Sequence, residues 1–161
     1  MKNNYVPAKN NLQLTTLLHD IGKVVFRRKC RKNYEEIVLQ AKAENVPVFI
    51  KEKANFGCNH AEVGAWLMEA WQMPADIIQP IAGHHLEHTA DEHMVETSIL
   101  KLANWVDCAA RMGASAPNPP GELAKLASIL DMDIHILLRF QQDLIRTVSV
   151  EDHKQVAAAC I

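Results

Sequence analysis

The chain has 161 residues, 48% of them apolar, which is enough for one domain with a substantial core. Its 17 basic residues against 19 acidic ones and its isoelectric point near 6.4 argue against a dedicated nucleic-acid binder or a membrane-surface protein. Cys30, Cys58, Cys108 and Cys160 form no C-x-x-C pair and no disulfide-framework spacing, so reduced thiols and a cytoplasmic location are expected. Neither a signal core near Met1 nor a membrane-length apolar run is evident.

In chain order the dominant period is helical. From Leu12 to Phe26, the residues Leu14, Leu17, Leu18, Ile21, Val24 and Val25 form a wide stripe, with Leu12 and Phe26 flanking His19 on the other side. This predicts one central helix with two apolar faces. Arg27, Arg28 and Lys29, followed by Arg31 and Lys32, suit its carboxyl end, where cations favour the helix dipole. A second helix is predicted from the cap Asn33 toward Glu44, and a short one from Pro47 to Lys53.

Asn59-His60-Ala61-Glu62 has the spacing of a capping box and places His60 at a helix start. Pro74 opens the next helix, which leads through Ile77, Ile78 and Ile81 to His84-His85, with Pro80 expected to distort its middle. Glu92 to Met112 reads as the longest helix. The run Pro117-Asn118-Pro119-Pro120-Gly121 then breaks the chain before predicted helices at Leu123–Leu130, Ile134–Ile145 and Glu151–Ala159. The expected class is all-α, a compact multi-helix bundle. Residues 1–115 would form the core and 116–161 a helical tail packed on it, as one domain overall.

The chemistry-bearing residues are His19, Asp20, His60, His84, His85 and Asp107. His60 follows Asp20 by 40 positions, His84 follows His60 by 24, and Asp107 follows His85 by 22, intervals that suit successive helices converging on one centre. Imidazole and carboxylate ligands of this kind suit iron or manganese and also accept zinc or magnesium. On a helix, Leu100, Ala103 and Ala110 lie within about 60° of Asp107, which puts a carboxylate on an apolar stripe. An ionised carboxylate there needs a partner or a metal. His88, His93, His135 and His153 read as exposed, and Trp66 and Trp71, five apart, read as a core edge rather than a base-stacking pair.

Leu17-Leu18-His19-Asp20-Ile21-Gly22-Lys23 resembles the signature of HD-domain metal-dependent phosphohydrolases. Phe56-Gly57-Cys58-Asn59-His60-Ala61-Glu62-Val63-Gly64-Ala65, then Trp71-Gln72-Met73-Pro74 and Ile81-Ala82-Gly83-His84-His85, is more specific. This block is similar to the carboxyl-terminal half of an HDOD domain, an HD-related output domain of bacterial signalling proteins. The resemblance spans roughly residues 12–112. It implies an HD-domain-like bundle and a regulatory module whose metal-type residues need not support turnover, acting through a signalling partner or a small phosphorylated ligand, with oligomers allowed.

The alternative implied by the same resemblance is a phosphodiesterase using one or two divalent ions. There His19, Asp20, His60, His84, His85 and Asp107 would hold metal, Asp20 would bridge, and Lys23 would add charge at the phosphoryl group. Two departures weigh against a complete hydrolase site. The 18 residues before His19 hold no histidine, and Leu86-Glu87-His88-Thr89-Ala90 stands where the related HD-GYP phosphodiesterases continue with an acidic and Gly-Tyr-Pro segment. The amino-terminal helical half of HDOD domains is also missing from the pattern, so a truncated or compact member is expected.

Overall fold

The computed structural model of the chain describes residues 9–86, 91–112 and 120–147, with side chains described over 11–86, 92–106, 123–140, 142 and 143. The described residues are helical and contain no strand, the all-α class expected. The elements are α1 (Lys9–Leu18), α2 (Ile21–Lys29), α3 (Arg31–Glu44), α4 (Val48–Phe56), α5 (His60–Ala70), α6 (Ala75–Gly83), a 3₁₀ turn (Asp91–His93), α7 (Met94–Met112), α8 (Pro120–Ile129) and α9 (Ile134–Thr147). The predicted helix at Glu151–Ala159 lies outside the described residues.

The chain divides into two units, residues 1–100 and 101–161. In the first, Ala65, Met68, Ile77, Ile78 and Ile81 form the main core, with Leu14, Leu18 and Ile21 packed against it. A second cluster, Ile37, Ala41 and Val48, joins α3 to α4. Asn11 Nδ2 donates to Asp76 Oδ2 at 2.6 Å and ties α1 to α6. In the second unit Leu102, Leu123, Ala127 and Leu137 bury against one another, with Trp105 and Leu138 at the edge.

The single helix expected over Leu12–Phe26 is two helices that meet at a turn of His19 and Asp20. The turn lets Leu14, Leu18 and Ile21 all reach one core, whereas a straight helix would carry Leu17 and Val24 there as well. Leu17 is instead 79% exposed and Val24 49%. The basic residues Arg27, Arg28 and Lys29 do occupy the last turn of α2 and face solvent. Cys30 rather than Asn33 precedes α3, so that helix starts three residues earlier than its cap signal suggested.

The remaining local signals act as their chemistry requires. Asn59 Oδ1 accepts the Glu62 backbone N–H at 3.1 Å and Glu62 Oε2 accepts that of Asn59 at 2.9 Å, the reciprocal capping box. Gly57 ends α4 at φ 74°, a left-handed conformation that a side chain would strain. Pro74 is the cap before α6, and α6 continues through Pro80 to Gly83.

Candidate metal centre

Turns and helix ends place the site. His19 and Asp20 sit between α1 and α2, His60 is the first residue of α5, and His84-His85 form the turn after α6. What brings Asp20 to His60 is the close crossing of α2 and α5 at Gly22. A Cβ on Gly22 would lie 2.0 Å from the His60 carbonyl oxygen, so only glycine lets the two backbones approach this far.

Three of the histidines are held in the same manner. The Nδ1 of His19 donates to the Thr16 carbonyl at 2.7 Å, that of His84 to the Ile81 carbonyl at 2.7 Å, and that of His60 to Glu52 Oε2 at 2.6 Å. Fixing Nδ1 as the donor turns Nε2 toward the cluster, the arrangement that metal-binding histidines adopt. His84 Nε2 is buried and has no hydrogen-bond partner. His85 differs, because its ring stacks on Phe49 with centroids 4.1 Å apart and planes 13° apart.

These rings converge. One nitrogen from each of His60, His84 and His85 lies within 4.8 Å of the others, a cluster that could hold a metal ion. His60 Nε2 stands 2.9 Å from His85 Nε2 and 3.2 Å from Asp20 Oδ1. Two ligands each about 2.1 Å from one ion and roughly at right angles stand about 3 Å apart, so these separations match neighbouring positions around a single cation. His19 meets His84 edge to face with centroids 5.4 Å apart, and its Nε2 is 3.5 Å from Asp20 Oδ2. Lys23 Nζ donates to the same Oδ2 at 2.8 Å, from a side chain only 18% exposed.

The electrostatics follow from this crowding. Burial alone would raise the Asp20 carboxyl, but the hydrogen bond from His60 and the charges of Lys23 and His19 hold it well below the carboxylate range. Burial likewise disfavours a charge on His60, yet its bonds to Asp20 and Glu52 raise its pKa. Burial and the neighbouring His60 push His84 down to about 3. His85 is lowered further by burial, His84 and His60. The last two rings are therefore neutral near pH 7, the form that ligates metal.

The site thus unites His19, Asp20, Lys23, His60, His84 and His85. Asp107 lies on α7, in the second unit, with a side chain outside the described residues; His88 and His153 are outside them too. His135 is exposed, as expected, but His93 is partly buried in the 3₁₀ turn with its Nδ1 sealed from solvent. Trp66 and Trp71 are 55% and 57% exposed rather than a core edge. The inner face of α5 is built from His60, Ala61, Gly64, Ala65 and Met68, and such close packing leaves an indole no room.

Sequence reasoning missed Glu52, which is fully buried. Flanked by Lys51 and Lys53, it looks like part of a solvated face. Val48, Glu52 and Phe56 nevertheless share one side of α4 at a spacing of four, the same carboxylate-on-an-apolar-stripe signal that singled out Asp107.

The all-α fold thus brings a His-Asp pair, a helix-initial His and a double His to one place, with His60, His84 and His85 grouped so that they could hold a metal ion, in an HD-related module. The chain belongs to the HDOD domain family, whose model matches residues 2–87 and so leaves Asp107 outside the match. An uncharacterized protein of Treponema pallidum (strain Nichols) is 33% identical over 93 residues, and this chain spans 17% of that relative's length. No solved structure matches the chain. Among the described residues no helix is long and apolar enough to cross a membrane.

Proposed function

We propose that this chain is a regulatory HDOD module of bacterial signal transduction, working in the cytoplasm, whose His/Asp centre holds one divalent cation, with iron or manganese preferred by ligand type. The ion would fix the ends of α2, α5 and α6 relative to one another. The output would pass to a signalling partner or a small phosphorylated ligand. The observation that carries this reading is the shared orientation of His19, His60 and His84, each tied at Nδ1 so that Nε2 is left to the cluster, where His84 Nε2 is buried without a partner.

The disposition of Asp20 favours regulation over turnover. A carboxylate that bridges two ions gives an oxygen to each. Here Oδ1 is committed toward His60, and the Lys23 ammonium occupies Oδ2. One observation favours a second reading, a phosphodiesterase: the Asp20 side chain remains 38% exposed beside Lys23, so an anionic phosphate has a route to a cation pair of metal and ammonium.

Metal analysis of protein purified without chelator, joined to hydrolysis of bis(p-nitrophenyl) phosphate, separates the two. A single ion without turnover supports the regulatory module. Two ions with turnover lost in Asp20→Ala would replace it with the enzyme, and protein that stays metal-free after iron or manganese is added would remove both.

A further inference from the structure

We infer that Glu52, held in place by Tyr34, is the positioning residue of the metal centre: it fixes the tautomer and direction of His60 from behind, touching no ion or ligand itself. The inference rests on the metal-binding reading above.

Glu52 is fully buried although its neighbours Lys51 and Lys53 reach other surface carboxylates, Glu44 and Glu62. A buried carboxylate is unfavourable unless its oxygens are filled. Both are filled here, one from α5 and the other from α3. Oε2 accepts the His60 backbone N–H at 2.8 Å and the His60 Nδ1–H at 2.6 Å, while Oε1 accepts the Tyr34 hydroxyl at 2.7 Å. The first bond takes up an amide that α5 leaves open at its amino end, and the second sets the ring. With the backbone and the ring of one residue bound to the same oxygen, the His60 side chain has a single allowed direction, and Nε2 faces Asp20 and His85.

Tyr34 is itself immobilised. Phe26 stacks between Tyr34 and Phe56, with centroids 5.3 Å and 4.8 Å away. Three elements therefore converge behind one imidazole: Tyr34 from α3, Glu52 from α4 and Phe26 from α2. A carboxylate behind a ligating histidine raises the ring's basicity and is worth roughly 10–100-fold in metal affinity.

The test uses cobalt(II) titration of the full chain, read by its visible spectrum, with Glu52→Gln and Tyr34→Phe. Glutamine keeps an oxygen toward His60 and a polar group toward Tyr34 but removes the charge. The expected result is 10–100-fold weaker cobalt binding in Glu52→Gln with an altered spectrum and a metal-free unfolding midpoint close to wild type, and a smaller loss of a few-fold in Tyr34→Phe, whose midpoint falls because Glu52 Oε1 loses its donor. A purely structural role would lower the Glu52→Gln midpoint and leave the spectrum of bound cobalt alone in both variants. Wild-type binding with unchanged affinity and spectrum in both variants overturns the positioning role while the metal-centre reading stands. Wild type that binds no cobalt overturns both. If Glu52→Gln does not fold, Tyr34→Phe and the ring-nitrogen NMR shifts of His60 in the wild type decide, with an Nε2-protonated neutral tautomer as the contrary result.

Discussion

Two helical glycines in the same layer respond oppositely to alanine. At Gly22 the new Cβ would stand 2.0 Å from the His60 carbonyl oxygen and 2.7 Å from its carbon, both backbone atoms of α5. Relieving that to an ordinary carbon–oxygen separation of about 3.3 Å requires α2 and α5 to part by more than about 1 Å. Overpacking costs about 1–3 kcal/mol, and a backbone obstacle that cannot rotate away places Gly22→Ala at the upper end. The helix-propensity gain of about 1 kcal/mol offsets part of it, leaving a net loss of about 2 kcal/mol.

At Gly64 the added Cβ meets the γ2 methyls of Ile21 and Ile81, each at 3.3 Å, and the Gly22 backbone nitrogen at an ordinary contact distance of 3.6 Å. The methyls can yield by a few tenths of an ångström, so the propensity gain nearly cancels the crowding and Gly64→Ala should lie within about 1 kcal/mol of wild type. Urea unfolding followed by circular dichroism measures both, and Gly22→Ala should lower the midpoint by about 1 M. Because Asp20 precedes Gly22 by two residues, the same displacement should weaken metal binding at least about 10-fold, whereas Gly64→Ala should retain it. Gly22→Ala as stable as wild type, or Gly64→Ala as damaging as Gly22→Ala, would refute this account of the crossing.

Asn59→Ala should cost about 1 kcal/mol by removing the cap of α5, measured by thermal unfolding. Burial works to raise the Glu62 carboxyl, but its bonds to Lys53 and to the Asn59 amide lower its pKa. Its support is therefore full above the ordinary glutamate range near 4.5 and fades as pH falls through the lowered value, so the stability difference between wild type and Glu62→Gln should shrink in acid. Phe49→Ala removes the ring on which His85 stacks and should weaken metal binding several-fold by calorimetric titration, since that stack orients the imidazole.

Much of this centre is legible in the chain because its signals are local. The capping box Asn59–Glu62 fixes where α5 starts and so sets His60, and the double His falls where α6 ends. The turn at His19-Asp20 is not legible in that way. Leu12–Phe26 has unbroken helical periodicity, and the break arises from tertiary packing that draws Leu18 and Ile21 onto one core while α5 presses against Gly22. Glu52 hides for the opposite reason, since local charge on both sides masks a position whose partners, Tyr34 and His60, come from other helices. Trp66 and Trp71 show the limit of composition, because these large apolar residues face solvent while His60, Ala61, Gly64, Ala65 and Met68 make the packed face of α5.

The central claim is that His60, His84 and His85, with Asp20 beside them, bind a divalent ion. Manganese(II) titration of chelator-treated protein, followed by calorimetry alongside His84→Ala, tests it most directly. One saturable equivalent in wild type, weakened at least about 10-fold in His84→Ala, is the predicted result. Equal binding in the two proteins, or none in either, would contradict it.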